Sequence, residues 1–351
     1  MRFSKLAIAV LGVALSWLGA LVYRERYMLL MIKRLSANPF MDPKITIRTL
    51  QGLAQIIPKN RTIILAIPAK SGTTWVGHIA HQILVHGAAV DGKQSLHEDS
   101  VYPEFAPFLF DGLNLHELDP PYWEREPFKS YPNGPITIRS HISYSQLDQI
   151  NATENDGFRL LTVLREPKEL VVSGWRFVPP IVGIDYDLIS LETYYRFTKM
   201  MGLIEETIHL YADWWEHRHS PNVLLLFFDD LKSDLDGSVR RIADFFKSNL
   251  TEEELLLVIQ QSSHSFMTHP DVIGRFNDLH PKISRGFQGN ITRWESKVTV
   301  VQKHASSKAL PDFVRNDLDR MWAKIVLPRT GCSNYQEMRS QFAAERKALL
   351  R

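Results

Sequence analysis

Short apolar stretches alternate with amphipathic stretches along most of the chain. The apolar stretches are rich in β-branched residues and predict strands at Thr62–Ile67, Pro135–Arg139, Arg159–Leu164 and Val223–Phe228. Apolar side chains at helical spacing predict helices at Thr73–Val85, Glu205–Arg218 and Leu235–Lys247. Strands without a polar face that alternate with helices are typical of a buried parallel sheet. We therefore predict an α/β fold, a P-loop-like three-layer sandwich with a central parallel sheet flanked by helices.

An uncharged apolar run at the N-terminus, Leu6–Tyr23, lies between basic flanks. Its 18 residues are close to the ~20 that cross a bilayer, so the run predicts one transmembrane helix, an uncleaved signal anchor before the α/β domain. Two alternatives stay open. The run could be a signal peptide cleaved near Ala14–Ser16, or a buried helix of the core.

Glycosylation signals favour one side of the membrane for the rest of the chain. Asn-x-Ser/Thr sequons begin at Asn60, Asn151, Asn249 and Asn290. They favour a catalytic domain in the lumen of the Golgi or secretory pathway. Basic residues flank the apolar run on both sides, so a catalytic domain on the cytosolic face is the alternative.

The chain divides into segments by composition. The predicted segments are a tail at 1–5, the anchor at 6–23, a juxtamembrane stem at 24–58, the catalytic domain at 59–330 and a charged C-terminal helix or tail at 331–351. Residues 101–135 are rich in proline and aromatic side chains, which predicts a structured insertion over a site.

Charge and cysteine content exclude several classes of function. The 41 basic and 39 acidic residues give a formal net charge of +2, which argues against a nucleic-acid partner. An anionic ligand therefore has to be bound by a local pocket. The single cysteine excludes a multi-cysteine zinc or iron–sulfur site, and no other metal-ligand spacing is present, so we predict no metal.

The segment Ile63–Trp75 contains the main candidate for an anion site. A predicted strand leads into Lys70-Ser71-Gly72-Thr73-Thr74 and then into a helix. Gly72 allows close approach of the backbone, N–H groups point outward at the helix N-terminus, and Lys70 adds a positive charge. The triphosphatase motif needs a glycine before the lysine that is missing here, which argues against ATP or GTP hydrolysis. An ordinary capped helix after a strand is the simpler alternative.

Four segments together resemble one known family. Lys70–Trp75 is similar to the phosphosulfate-binding loop of the cytosolic-type sulfotransferases, which use 3′-phosphoadenosine 5′-phosphosulfate (PAPS) as sulfuryl donor. Thr162–Phe177, Trp214–Lys232 and Arg285–Gly289 resemble further motifs of that family, in the same order. The resemblance covers about residues 60–300, most of the chain.

The resemblance implies a set of donor-binding residues. Arg165 and Ser173 match the 3′-phosphate motif, and Trp75 and Phe266 are the candidates to stack on adenine. The full set of cofactor-binding residues is Lys70, Ser71, Gly72, Thr73, Thr74, Trp75, Arg165, Ser173, Phe228, Phe266, Arg285 and Gly286. Phe228 stands where the family has tyrosine, so a hydroxyl contact is absent there.

The resemblance also implies catalytic roles for three residues. His141 follows the second strand and would act as general base, because a neutral imidazole can accept a proton from an attacking hydroxyl. Lys70 would stabilise the bridging oxygen of the departing phosphate, and Arg139 would assist at the sulfuryl oxygens. The alternatives are a membrane-tethered nucleotide-binding pseudoenzyme and, with less support, a P-loop kinase or triphosphatase.

The acceptor and the oligomeric state are less well defined by the sequence. An aromatic lid predicts a small-molecule or lipid acceptor carrying a hydroxyl or amine, whereas a luminal address favours a glycan. The lid candidates are Tyr102, Phe105, Phe108, Phe110, Tyr122 and Trp123. The family's dimer motif has both charged ends changed, to Glu295 and His304, so it does not predict that dimer.

Overall fold

The computed structural model describes most of the predicted catalytic domain. The described residues are 26–31, 43–90, 96, 102–103, 124, 126–153, 157–181, 184–276 and 310–349. Within these ranges the strands are β1 (Thr62–Ala66), β2 (Ile136–Ser140), β3 (Arg159–Leu164) and β4 (Val223–Phe227). They form one parallel sheet in the order β2-β1-β3-β4.

Helices connect and cover these strands. In chain order they are α1 (Pro43–Ile56), α2 (Thr73–Leu84), α3 (Tyr144–Gln149), α4 (Pro167–Ile181), α5 (Leu191–Met200), α6 (Leu203–Glu216), α7 (Phe228–Ser233), α8 (Leu235–Phe245), α9 (Glu252–Gln261), α10 (His264–Met267), α11 (Asp312–Ile325), α12 (Leu327–Thr330) and α13 (Tyr335–Leu349). Short 3₁₀ turns lie at Lys59–Arg61, Tyr186–Leu188 and Ile273–Phe276.

Both the strands and the parallel pairing confirm the prediction. Each strand lies within one residue of its predicted ends, and the three predicted helices lie within two residues of theirs. β2 extends to Ser140 because this residue pairs with Ala66 of β1. β4 stops at Phe227 because α7 begins at Phe228.

Alternate side chains of β1 enter the two halves of the core. Ile63 and Leu65 pack with α2, α7, α8 and α9, whereas Ile64 and Ala66 pack with α1, α3, α6, α11 and α13. All five residues of β1 are buried. Helices therefore cover both faces of the sheet, which confirms the predicted three-layer arrangement.

The packed core extends beyond the limits of the predicted catalytic domain. Leu50 and Leu53 of α1 belong to the same cluster as the sheet residue Ile64, although α1 lies in the segment assigned to a stem. Tyr335 and Phe342 of α13 also belong to that cluster, although the sequence assigned them to a C-terminal tail. Apolar faces on either side of residues 59 and 330 are thus buried against the sheet, and the predicted domain limits at these residues stay a prediction.

The N-terminal anchor, 6–23, lies outside the described residues, so it stays a prediction. Among the helices that the structure describes, none is both long and apolar enough to span a bilayer. The sequon residues Asn60, Asn151 and Asn249 are exposed, as an oligosaccharide requires. The luminal address also stays a prediction.

The strand order creates a crevice at the centre of the sheet. The chain passes from β1 to β2 on one side, and β3 then pairs with β1 on the other side. Open α/β sheets bind ligands where neighbouring connections diverge in this way, beyond the carboxyl ends of the strands. The segments that follow β1, β2 and β3 carry Lys70, His141 and Arg165, so the fold places these three residues at one edge of the sheet.

Candidate active site

The loop after β1 has an unusual backbone. Lys70 has φ of 65° and Gly72 has φ of 109°, so both lie in the left-handed region. A lysine in this region carries steric strain, which is most often found at functional sites. Gly72 then serves as the N-cap of α2 with no side-chain cap in the described structure. The first-turn N–H groups of α2 consequently point out of the helix toward this loop.

The hydroxyl groups of Ser71 and Thr73, at the start of α2, are buried and have no described hydrogen-bond partner. Ser71 is fully buried and Thr73 nearly so. Neither side-chain oxygen has a hydrogen-bond partner in the described part of the chain. Buried hydroxyls are normally paired, because leaving one unpaired costs roughly 1–3 kcal/mol. The positive helix end and the two hydroxyls together form a site suited to a phosphate or sulfate group.

Phe228 packs closely against Gly72, so a larger residue there would have to displace its ring. A Cβ atom on Gly72 would lie 3.1 Å from Cδ2 of Phe228. The same ring meets the Trp75 ring edge-on, with 5.7 Å between the centroids. The guanidinium carbon of Arg165 lies 4.4 Å from the centroid of the Phe228 ring. Phe228 is therefore in contact with Gly72, Trp75 and Arg165 of the loop and its neighbourhood.

Arg165 is fixed across the loop. Its Nη1 donates to the carbonyl oxygen of Lys70 at 3.0 Å, and its Nη2 donates to Glu169 Oε2 at 3.2 Å. The Tyr211 hydroxyl donates to the carbonyl oxygen of Arg165. A guanidinium has five N–H donors, so these contacts leave donors for a bound anion. The structure thus brings Arg165 directly against the Lys70 loop.

Lys70 packs against an aromatic ring of α4. Its Nζ lies 3.2 Å from the centroid of the Phe177 ring, which is a cation–π contact. The contact holds the ammonium beside the loop and so limits its conformational freedom.

His141 is held by hydrogen bonds at both ring nitrogens. Its Nδ1 lies 2.6 Å from the carbonyl oxygen of Ile67, and its Nε2 lies 2.6 Å from the hydroxyl oxygen of Tyr102. A carbonyl oxygen can only accept, so Nδ1 carries the proton and Nε2 of the neutral ring has the lone pair. Since Ile67 lies three residues before Lys70, His141 is joined directly to the chain that forms the anion loop.

Arg139 lies beneath this histidine in β2 and is almost completely buried, with 1% of its surface exposed. Its Nη2 donates to the carbonyl oxygen of Leu96 at 3.4 Å, and its guanidinium carbon lies 4.9 Å from the centroid of the Tyr102 ring. A buried cation at this position stabilises negative charge that develops beside it.

Phe266 lies in α10 and packs against His78 of α2, a histidine whose pKa is lowered. Its ring stacks on the ring of His78, with 6.5 Å between centroids and an interplanar angle of 10°. Burial and, to a smaller extent, the charge of Arg275 lower the pKa of His78 to about 3. The same two causes hold the pKa of His81 well below its usual range. Phe266 and Trp75 pack with one apolar cluster, which places both candidate adenine contacts together.

The buried His78 predicts a pH dependence of stability. Unfolded His78 binds a proton near its usual pKa of 6.5, whereas the folded residue binds one only near 3. The unfolded state therefore holds more protons between these values, and stability falls as the pH falls. From about pH 7.5 to about pH 5 this residue alone lowers the free energy of unfolding by about 2 kcal/mol.

Urea unfolding at the two pH values measures this effect. His78→Gln should lose about 2 kcal/mol less than the wild type over the same interval, because glutamine does not titrate. The comparison uses the difference between pH values, so a general loss of stability in the variant does not affect it. Equal losses in both proteins would show that His78 is not the buried neutral group described above.

The remaining predicted site residues fall into two groups. Ser173 is half-buried in α4, the helix that follows Arg165, and no described contact joins it to the loop. Arg285 and Gly286 lie outside the described residues, as do the altered dimer motif and most of the aromatic lid. In the described ranges, no group of three or more His, Cys, Asp or Glu side chains could hold a metal ion.

Several site residues were missed by the sequence reasoning. Phe177 under Lys70 had no signal beyond its aromatic type, and Tyr102 was assigned only to an apolar lid. Glu169 could have been found, because it follows Arg165 by four residues, the spacing of side chains that meet on a helix. The role of Tyr211 at the carbonyl of Arg165 depends on tertiary packing that local sequence does not specify.

Comparison with known proteins identifies the family. A family model described as the sulfotransferase domain matches residues 60–307, more than half of the chain. The chain belongs to the sulfotransferase family. The matched range contains the Lys70 loop, His141 and Arg165 together.

Individual relatives of this sulfotransferase have low sequence identity to it, but the matches cover most of both chains. Sulfotransferase 2A6 of Mus musculus is 26% identical over 281 residues, which cover 74% of this chain and 86% of the relative. Amine sulfotransferase of Oryctolagus cuniculus is 23% identical over 256 residues, which cover 70% and 78%. A solved structure of retinol dehydratase with androsterone and the inactive cofactor PAP matches with a TM-score of 0.53 at 16% identity, covering 81% of this chain and 85% of that one. This structure supports the fold assignment.

Proposed function

We propose that this sulfotransferase transfers the sulfuryl group of PAPS to a hydroxyl or amine of an acceptor, with His141 as general base. The observation that carries the proposal is the hydrogen bond from His141 Nδ1 to the carbonyl oxygen of Ile67. It favours the tautomer with the proton on Nδ1 and the lone pair on Nε2, in a residue that is bonded to the chain three positions before Lys70. A base beside an anion cradle is the arrangement that transfer to a hydroxyl requires.

The described residues fit the phosphosulfate end of PAPS. The unpaired oxygens of Ser71 and Thr73 and the uncapped start of α2 supply donors for one anionic group. Gly72, the left-handed N-cap of α2, has no side chain to keep a ligand from the backbone there. Lys70 and Arg165 would add two positive charges on either side of the loop. Trp75 and Phe266 would hold the adenine, while Arg285 and Gly286 stay predicted contacts outside the described residues.

The chain's own groups would act in a defined order. When bound, PAPS supplies an activated sulfuryl group on a phosphate leaving group. His141 Nε2 would take the proton from the acceptor hydroxyl, and its Nδ1 would stay bonded to Ile67. Lys70 and the first-turn N–H groups of α2 would stabilise charge on the leaving phosphate, and Arg139 would stabilise charge on the acceptor side. Positioning and charge stabilisation supply most of the rate enhancement in such in-line transfers.

A small acceptor is supported by the walls of the site. Tyr102 contacts His141, and the Phe177 ring contacts Lys70, so an aromatic ring lies against each of these two residues. Aromatic walls with few polar groups are typical of sites for small organic molecules. The retinol dehydratase neighbour contains androsterone, a steroid, and another relative is named for amines. We therefore place phenols, sterols and amines ahead of glycans as acceptors.

Ligand-induced stabilisation tests the donor class. The reaction product 3′-phosphoadenosine 5′-phosphate (PAP) at ~100 times its Kd should stabilise the protein by about 2.7 kcal/mol, which raises Tm by several degrees. Arg165→Met should remove most of this rise, because the variant loses a buried guanidinium beside the loop. The measurement is a thermal melt of the full chain with and without nucleotide.

Two controls make the melt specific. Arg196→Met removes an exposed arginine paired with Glu192 on α5, far along the chain from the loop, and should keep the full PAP response. ATP with Mg²⁺ should give a much smaller rise than PAP. An equal rise with ATP–Mg²⁺ would contradict a PAPS site and favour a kinase or triphosphatase.

A further inference from the structure

The hydroxyl of Tyr102 is hydrogen-bonded to Nε2 of His141, the nitrogen that would accept the proton of an acceptor. Its oxygen lies 2.6 Å from Nε2 of His141, the nitrogen that holds the lone pair. The other ring nitrogen of His141 is committed to Ile67. The two rings meet edge-on, with 5.6 Å between centroids and an angle of 83°. Tyr102 is thus hydrogen-bonded to the base in the way that an acceptor phenol would be.

Tyr102 is buried and lies next to a cation. The side chain is 5% exposed, so water does not compete strongly for the hydroxyl. The guanidinium of Arg139 lies over the Tyr102 ring, 4.9 Å from its centroid. A cation over the ring stabilises the electron-rich phenolate more than the neutral phenol. The base therefore contacts the hydroxyl, and the cation lies over the ring that carries it.

We propose that Tyr102 is itself a sulfation site, modified by the active site of its own chain. The inference rests on the proposed function, because it needs PAPS bound at the Lys70 loop. In the step, the Tyr102 oxygen forms a bond to sulfur, and the bond from sulfur to the bridging phosphate oxygen breaks. The phenolic proton passes to His141 Nε2, and PAP leaves with the electron pair of the broken bond.

The modification has a direct consequence for turnover. A sulfated Tyr102 can no longer donate a hydrogen bond to His141, and its ester occupies the space that an external acceptor needs. The modification should stop at one sulfate per chain, and the rate of transfer to external acceptors should fall as the modified fraction rises. Tyrosine O-sulfation would then be a self-limiting inactivation when acceptor is scarce.

The test uses the full chain, purified, with PAPS alone and no acceptor. Peptide mass spectrometry should find one added SO₃ group on the peptide that contains Tyr102. Tyr102→Phe and His141→Ala should both abolish this addition. Tyr131→Phe is the matched control and should keep it, because the Tyr131 hydroxyl donates to the backbone carbonyl of Val85 at 3.3 Å instead of to a base.

A second readout needs no donor. In protein labelled with ¹⁵N-histidine, Tyr102→Phe should shift the Nε2 resonance of His141 and leave its protonated Nδ1 in place. Tyr131→Phe should shift neither resonance. An unchanged His141 spectrum in Tyr102→Phe would overturn the proposal, because the hydrogen bond on which it depends would be absent.

The outcomes separate this inference from the proposed function. If PAP fails to stabilise the protein, the proposed function itself fails. If PAP stabilises the protein but no sulfate is found on Tyr102, the proposed function stands and the self-sulfation proposal is overturned. Sulfate on Tyr102 that persists in His141→Ala would also overturn it, because the transfer would then not use this base.

Discussion

Lys70→Ala should lower kcat for sulfuryl transfer at least ~100-fold, because it removes the positive charge beside the leaving phosphate. The loss should exceed that of an ordinary surface charge, since Lys70 is held next to the anion loop by the ring of Phe177. The fold should be little affected. Alanine at this position has the same left-handed backbone cost as lysine, and the side chain adds one cation–π contact.

The measurement is the initial rate of sulfate transfer from radiolabelled PAPS to the best acceptor of the wild type. Lys324→Ala is the matched control, because it removes the same charge from an exposed position near Glu205 on α6. It should keep the wild-type rate. A folded Lys70→Ala protein that retains more than about a tenth of wild-type kcat would remove Lys70 from the catalytic machinery.

His141→Ala should lower kcat by ~100-fold to ~10,000-fold and leave the thermal response to PAP intact. The positions of these residues explain why kcat should fall while PAP binding is kept. His141 lies at the end of β2 and contacts Tyr102 and Ile67, whereas the donor-binding groups lie on the loop after β1 and at Arg165. Loss of the base therefore removes proton transfer but leaves the anion cradle.

The control for His141→Ala is His219→Gln, an exposed histidine paired with Glu345. This variant should keep the wild-type rate and the wild-type PAP response. If His141→Ala also abolishes PAP binding, the residue supports the loop structure and its assignment as general base is wrong. If rate and binding are both retained, another group takes the proton.

The fold could be predicted because each strand corresponds to a short apolar run that is visible in the sequence alone. Runs such as Ile63–Ala66 are apolar at every position, so both faces have to be covered and a parallel sheet between helices follows. The stem boundary could not be predicted in the same way. α1 is amphipathic and carries charged and polar residues, and only the tertiary structure shows that Leu50 and Leu53 pack on the sheet.

The part of the candidate site that could be predicted consists of ionisable residues that follow the ends of strands. Lys70, His141 and Arg165 follow three parallel strands, so topology alone brings them to one edge. Contacts between distant segments could not be predicted. The pair Tyr102 and His141 joins residues that are 39 positions apart, and the ring of Phe177 reaches Lys70 from α4. Neither spacing follows from helical or strand periodicity.

PAPS-dependent sulfuryl transfer at this site should use His141 as its base. The most direct measurement is transfer from radiolabelled PAPS to panels of phenols, sterols, amines and oligosaccharides, with wild-type protein and His141→Ala side by side. We expect a labelled acceptor with the wild type and a loss of at least ~100-fold in the variant. Binding of PAP without transfer to any acceptor class, or transfer that is equal in both proteins, would contradict it.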